Sequence, residues 1–502
     1  MPTNSKRPRR AIGATLAGLL LPVYCIAVSS PAAAQMTIRV RVPVRTVTPR
    51  VRVPTRTSTV TARVNPVPVV PRGRAHPIYT GRHIGISDRP YERNGGLIAT
   101  APGTGGAGAA LGGMPPPGER RFVLDEVIVE FSSTASQRDI GLLTRRYNLT
   151  QLESQSFPLI GATLVRWHIG AGRSVRSVIA ALQNQGIVAD VQPNYLFALQ
   201  QDAVQPATAA QGDPSQYVLG KLEVGAAQQI ATGKDIAVAV IDSEIDAKHP
   251  DLGGSIAKSF DALSADDTPQ LHGTEMAGAI ASHGKLLGIA PGVELFAARA
   301  FDDRSSGTSF AIYKSLQWAA DNAVRVVNMS FAGPADPTLH RMLAATFAKD
   351  IVLIAAAGNA GPQSAPLYPA ADPDVIAVTA TDIDNHLFKM ANRGPYIAVA
   401  APGVEVIALA PADAYQITTG TSVAAAHVSA VAALLLQHDP SLKPADIRRI
   451  LTGTAKPLQD AEASGVPSTP GTFDPGLVDA YRALTSPATA VGNDVSGDQA
   501  KR

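Results

Sequence analysis

The sequence predicts an α/β protein with a parallel sheet flanked by helices on both faces, preceded by a small α+β domain. Two observations carry this reading. From about 213 to 484, short continuous apolar runs bounded by turn residues alternate with helical segments, the pattern of a parallel sheet buried on both faces. From 122 to 199, strand and helix patterns follow one another as β-α-β-β-α-β, which suits a small sheet covered on one face. With 502 residues, 45% hydrophobic and 17% charged, the chain is long enough for two or three globular units and has the apolar content for a large core.

The first segment, 1–34, reads as a secretory signal. "MPTNSKRPRR" is basic, "AIGATLAGLLLPVYCIAVSS" is apolar, and "PAAAQ" offers a small-residue cleavage site before Gln35. A membrane anchor is the competing reading, but Pro22 interrupts the run and no basic stop-transfer flank follows it. Export, to the periplasm or out of the cell, is therefore expected. Cys25 is the one cysteine and lies within that signal, so the exported chain has no thiol for a disulfide, a nucleophile or a metal site.

Residues 35–118 read as a disordered, basic, Pro/Val/Arg- and Gly-rich segment. "RVRVPVRT" (39–46) recurs as "RVRVPTRT" (50–57), and no acidic residue separates Gln35 from Asp88. "GTGGAGAALGGMPPPG" (103–118) is flexible-linker composition. The basic stretch over 36–90 either adheres to an anionic surface or serves as a solvated spacer, and nothing in it calls for nucleic acid.

Within 119–199, "FVLDEVIVEF" (122–131), "TLVRWHI" (163–169) and "ADVQPNYLFAL" (189–199) read as strands, and 135–149 and 174–186 as helices. None of these carries an evident catalytic group. Residues 200–213 are a small, polar, Pro-containing linker, and the unit that follows runs over 214–484. Its strands are expected at 236–241, 294–301, 324–330, 351–357, 375–380 and 396–402, with a disordered tail over 485–502. Active sites of such sheets gather at the carboxyl ends of the strands.

Four polar residues occupy those ends or the helix starts beyond them. Asp242 follows the strand at 236–241; His272 opens a helix of small residues; Asn359 ends the strand at 351–357; and Ser422 stands at the start of an apolar helix. Singly they read as turn formers or caps. Together they provide a hydroxyl nucleophile, an imidazole to take its proton, a carboxylate to orient the ring, and an amide to stabilise an oxyanion. No HExxH spacing and no three-ligand metal cluster is present in the sequence.

The stretches "AVIDSEIDAKHPDL" (239–252), "HGTEMAG" (272–278), "VVNMSFAG" (326–333), "AAAGNAGP" (355–362), "YPAADPDVIAVTA" (368–380), "APGVEV" (401–406) and "GTSVAAAHVSA" (420–430) occur in the order found in subtilases, and the chain from about 213 to 484 resembles that family of serine peptidases. The resemblance implies a subtilisin-like fold, Asp242, His272 and Ser422 as a triad in the family's chain order, and Asn359 as the oxyanion side chain. It further implies that Ser306, Gly307 and Thr308, with Ser330, Phe331, Ala332 and Gly333, pair with extended substrate backbone. Ala356, Ala357 and Gly358 would line an uncharged pocket before the scissile bond, favouring apolar residues there. An α/β-hydrolase fails on the order of its residues, because acid and histidine here precede the serine.

Departures from the family pattern are Glu244, Glu275, Val423, Ala426 and Ala430, none at a reacting position; they leave a non-catalytic binding protein on the same fold as the alternative. No cofactor is required for the chemistry. The short loop 282–288 lacks an insertion that forms a calcium site in many members, so structural calcium has no support in the sequence. His427 is expected to be a packed structural residue. The 122–199 unit resembles the family's inhibitory propeptides, implying a self-processing zymogen cut between Leu199 and Asp213, near Leu199-Gln200. If the basic segment adheres to anionic surfaces, deleting 36–118 leaves peptidase activity intact but weakens retention on an anionic matrix, most visibly at low salt. Equal retention of the two forms would leave only the spacer role.

Overall fold

In the first folded unit, one antiparallel sheet pairs its first strand with both its third and its last. Strand β1 (Phe122–Phe131) is followed by helix α1 (Gln137–Tyr147), β2 (Leu149–Phe157), β3 (Ala162–Ile169), α2 (Val175–Leu182) and β4 (Val188–Leu199). The sheet order is β4-β1-β3-β2. The computed structural model describes residues 113–200, 203–207 in backbone, 216–264, 268–458, 473 and 475–486. The expected signal, the basic segment up to 112 and the tail beyond Ser486 lie outside the described residues.

Helix α1 starts at Ser136, whose side chain accepts from the Asp139 amide, and stops where Asn148 turns left-handed with φ 52°. It is therefore shorter than the expected 135–149, and Leu149 already begins β2, a largely polar strand whose sequence concealed it. The folded unit also begins upstream of residue 119. Arg176 donates to the carbonyls of Pro115 (2.6 Å) and Pro116 (2.8 Å), so 113–118 belongs to it rather than to the preceding segment. Prolines lack an N–H but keep a carbonyl, and a guanidinium can gather several.

Short β5 (Ala203–Ala207) and helices α3 (Tyr217–Lys221) and α4 (Val224–Ala227) lead into the second unit. Its strands are β6 (Ala237–Asp242), β7 (Ile256–Asp261), β8 (Glu294–Arg299), β9 (Ser306–Thr308), β10 (Val326–Met329), β11 (Phe331–Ala332), β12 (Val352–Ala356), β13 (Val375–Thr381), β14 (Ile397–Pro402), β15 (Val406–Ala410) and β16 (Ala414–Thr419). The helices among and after them are α5 (Leu271–Ala281), α6 (Ser309–Asp321), α7 (Pro337–Phe347), α8 (Thr421–His438), α9 (Pro444–Thr454) and α10 (Ala480–Thr485).

Seven strands form one parallel sheet in the order β14-β13-β12-β10-β6-β8-β7. Six are the strands expected from apolar runs. The seventh, β7, is an edge strand reading "IAKSFD" with exposed residues at its centre, so it carries no continuous apolar signal. Successive side chains in a strand face opposite ways. Val238 and Val240 accordingly enter a core with α5, α8 and α9, while Ala239 and Ile241 enter another with α6 and α7. This double burial is why the runs are continuous. Helix α8 is apolar enough to cross a membrane by length and composition alone, but Thr421 through Leu436 are buried as its centre.

The two units meet along β4. Its last residues leave their own sheet and lie between β9 and β11, antiparallel to both. Nearby, the buried Gln192 side chain donates to Tyr313 Oη (2.8 Å) and Asp336 Oδ1 (2.9 Å) and accepts from Thr338 Oγ1 (2.9 Å). Asn194 Oδ1 accepts from the Phe310 amide at 3.2 Å. The starts of α6 and α7 thus receive side chains of the first unit, which satisfies groups a helix cannot satisfy itself.

Candidate active site

Asp242 is the last residue of β6 and fully buried. One carboxylate oxygen accepts from the Ser243 amide at 2.7 Å, and the carboxylate receives His272 Nδ1 at 2.8 and 2.9 Å. His272 is the second residue of α5, and its Nε2 is buried without a hydrogen-bond partner. Burial opposes charging of this ring, but the Asp242 charge and hydrogen bond, with a contribution from Glu275, outweigh it and raise its pKa. The carboxylate fixes the tautomer that leaves Nε2 available.

Ser422 is the second residue of α8, preceded by Gly420 at the cap. A chain of buried bonds locks this helix start to β10: Ser429 Oγ donates to Asn328 Oδ1 (3.0 Å), Asn328 Nδ2 to Ser330 Oγ (2.9 Å), and Ser330 Oγ to the Ser422 carbonyl (3.1 Å). The Ser422 hydroxyl itself faces two carbonyls, Gln200 O in a short contact and Ser330 O at 3.1 Å, rather than His272 Nε2.

Asn359 follows β12 through Gly358, which has φ 106°; a Cβ there would also meet Asn392 Nδ2 at 2.7 Å. Asn359 Oδ1 accepts from the Thr421 amide (3.1 Å) and Thr421 Oγ1 (2.9 Å). With its oxygen so engaged by Thr421, the residue before Ser422, the Nδ2 donor is buried and unpartnered. Two orphaned groups, His272 Nε2 and Asn359 Nδ2, thus mark the place where a reacting carbonyl would be served.

The expected substrate segments embrace β4. Leu196, Phe197 and Ala198 pair with Thr308, Gly307 and Ser306, while Ala198 and Leu199 pair with Ala332 and Phe331. The Gln200 amide donates to Ser330 O at 3.2 Å. Gly333 is covered by the Phe197 ring, which a Cβ would meet at 2.3 Å. Ala356 and Ala357 pack into the two cores, and the amide of Asn359, one residue beyond the expected pocket segment, donates to Gln200 Oε1 at 3.0 Å.

Two features differ from the sequence-based expectation. The carbonyl against Ser422 belongs to Gln200, one residue beyond Leu199. Its side chain is an amide whose Oε1 accepts from the Asn359 backbone N–H, whereas the expected preference before the cut was for an apolar residue. Glu275 is the residue sequence reasoning noted only as a departure. Fully buried one helical turn from His272, it receives the Gln416 amide in a short hydrogen bond. His427 donates from Nδ1 to Pro402 O (3.0 Å), and burial pushes its pKa down to about 4, a neutral packed residue as expected.

Among the described residues no group of three or more His, Cys, Asp or Glu side chains could hold a metal ion. Asp251, near the 282–288 loop, accepts from the Leu286 amide (2.8 Å) and Tyr415 Oη (3.2 Å).

Comparison with known proteins identifies the family and the fold. The subtilase family model matches residues 233–472, and the model of the fervidolysin N-terminal prodomain matches 109–194. Subtilisin DY of Bacillus licheniformis is 37% identical over 239 residues, 46% of this chain and 86% of its own. The chain belongs to the subtilase family of serine peptidases. The thermophilic serine proteinase of Bacillus sp. strain AK1 is 30% identical over 374 residues, 72% of this subtilase and 88% of that protein. Fervidolysin from Fervidobacterium pennivorans, a keratinolytic enzyme related to subtilisin, superposes with a TM-score of 0.61 at 24% identity, over 74% of this chain and 62% of that one. The first folded unit of this subtilase is its prodomain.

Burial raises the Glu275 carboxyl from 4.5 to about 7, against the lowering effects of His272, Gln416 and Thr418. Below pH 4.5 the group is protonated in both folded and unfolded chains. Above it the unfolded chain loses the proton first, so stability falls as pH rises through about 7. Urea titrations of the Ser422→Ala chain with and without Glu275→Gln should therefore diverge over this window, the glutamine variant being spared a loss of about 3 kcal/mol. Parallel pH profiles would contradict the buried, neutral carboxyl.

Proposed function

We propose that this subtilase is an exported serine endopeptidase, made as a self-processing zymogen, in which Ser422 is the nucleophile. The observation that supports this most is the Gln200 carbonyl against Ser422 Oγ, at the end of a strand added to β9 and β11. A backbone laid in this way is bound by main-chain groups, so the substrates are extended polypeptides of varied sequence.

His272 Nε2 takes the Ser422 proton as Oγ attacks the carbonyl carbon; the Asp242 carboxylate holds the ring and stabilises the imidazolium. The oxyanion meets Asn359 Nδ2 and the Ser422 amide, which lies in the first turn of α8 where N–H groups lack intrahelical partners. His272 then returns the proton to the departing amine, leaving an acyl-enzyme that water hydrolyses by the same steps in reverse. In the zymogen the first bond cut is Gln200–Gln201, and the prodomain, still paired to β9 and β11, inhibits until it is removed. The 1–34 segment directs export.

An active-site-directed fluorophosphonate should label the processed protein at Ser422 and leave Ser422→Ala unlabelled. Labelling that persists in Ser422→Ala would overturn the assignment. Asn359→Ala should lower kcat about 10²–10³-fold with little change in KM, a magnitude carried over from subtilisin rather than obtained from this geometry. A loss confined to KM would remove Asn359 from the oxyanion site.

A further inference from the structure

Beyond Ser422 the chain is held by a second rail. Strand β5, which begins three residues after Gln200, pairs antiparallel with β16 over five residues, from Ala203 opposite Thr419 to Ala207 opposite Tyr415. Strand β16 is one edge of a hairpin whose other strand is β15, and it runs through Gly420 directly into Thr421 and Ser422. We propose that this edge of β16 is a binding track for the residues that follow the scissile bond, taking an extended polypeptide as an added antiparallel strand out to the seventh residue after the cut. The proposal rests on the reading of Gln200–Gln201 as the bond presented to Ser422.

Three further observations suit β16 to that task. It is anchored from below to the His272 helix, because Gln416 donates to Glu275 on α5. It is anchored again through Tyr415 Oη on Asp251 (3.2 Å) and the Ala414 carbonyl near His249 Nε2 (3.3 Å). The turn before it is tied by the Ala412 amide to Asp246 Oδ2 at 2.9 Å. A strand held from its own interior can offer its edge without shifting, so an incoming chain meets preorganised donors and acceptors. The ladder recognises backbone, so the ligand class is unstructured polypeptide rather than any one sequence.

The present occupant is part of the enzyme. After a cut at Gln200–Gln201, β5 stays joined to the catalytic unit through 208–215, whereas the prodomain on the other side of the cut is freed. The linker therefore competes with the leaving side of every substrate, separately from inhibition by the prodomain.

The test is steady-state cleavage by the self-processed full chain of quenched peptides sharing "YLFALQ" before the cut and carrying two or seven residues after it. A second enzyme carries Val204→Pro and Gln205→Pro; successive residues point their N–H groups to opposite sides, so one of the two removes a donor facing β16. The longer peptide should have a kcat/KM roughly tenfold above the shorter, as expected for a few added backbone hydrogen bonds. That ratio should rise further in the proline variant, and N-methylation of the fourth and fifth residues after the cut should abolish it. Equal kcat/KM for both lengths in both enzymes, or a gain that survives N-methylation, would overturn the track. If neither peptide is cleaved, the Ser422 reading fails instead, and anisotropy of the two labelled peptides on the same protein then decides the track by whether the longer binds more tightly.

Discussion

The arrangement of this molecule depends on one added strand. The end of β4 lies between β9 and β11, paired with both, and this double ladder brings the Gln200 carbonyl to Ser422. Backbone pairing on two sides leaves a chain little freedom to slide, because a shift of one residue turns every side chain to the opposite face. Phe197 over Gly333 adds a steric stop, since that ring occupies the space of a Cβ. The register that results puts an ordinary peptide carbonyl against the Ser422 hydroxyl.

The seven-stranded sheet supplies the rigidity this demands. Apart from the edge strand β7, its strands are buried on both faces, and its carboxyl ends carry Asp242 and the Gly358–Asn359 turn. Helix α8 passes through one core and is tied to β10 by the Ser429–Asn328–Ser330 relay, so Ser422 cannot move without disturbing buried hydrogen bonds. The site is set by elements that cannot shift cheaply, and strands β9 and β11 are appended to them. Glu275 then joins the histidine helix to β16, so the two sides of the cleft share one support.

Much of this was legible in the amino-acid sequence because it is local. Six strands of the sheet announce themselves as apolar runs, and the four polar residues of the site sit at their ends or at helix starts, where the family pattern names them. What escaped depends on contacts made across the fold. Strand β7 is an edge strand with a polar centre, β2 is largely polar, and β5 contains Pro206 and reads as linker until β16 is beside it. The one-residue difference between Leu199 and Gln200 is likewise set by pairing with β9 and β11, which no periodicity within 189–199 encodes. Glu275 stood out only as a departure, since its partner Gln416 is 141 positions away.

The central claim is that the register of β4 delivers the Gln200–Gln201 bond to Ser422. Intact-mass spectrometry of the earliest processed form, with allowance for cyclisation of an N-terminal glutamine, tests it directly. The account predicts a wild-type product beginning at Gln201 and an uncut junction in Ser422→Ala made in a host lacking other proteases. A first cut after Leu199, or equal processing of Ser422→Ala in that host, would contradict it.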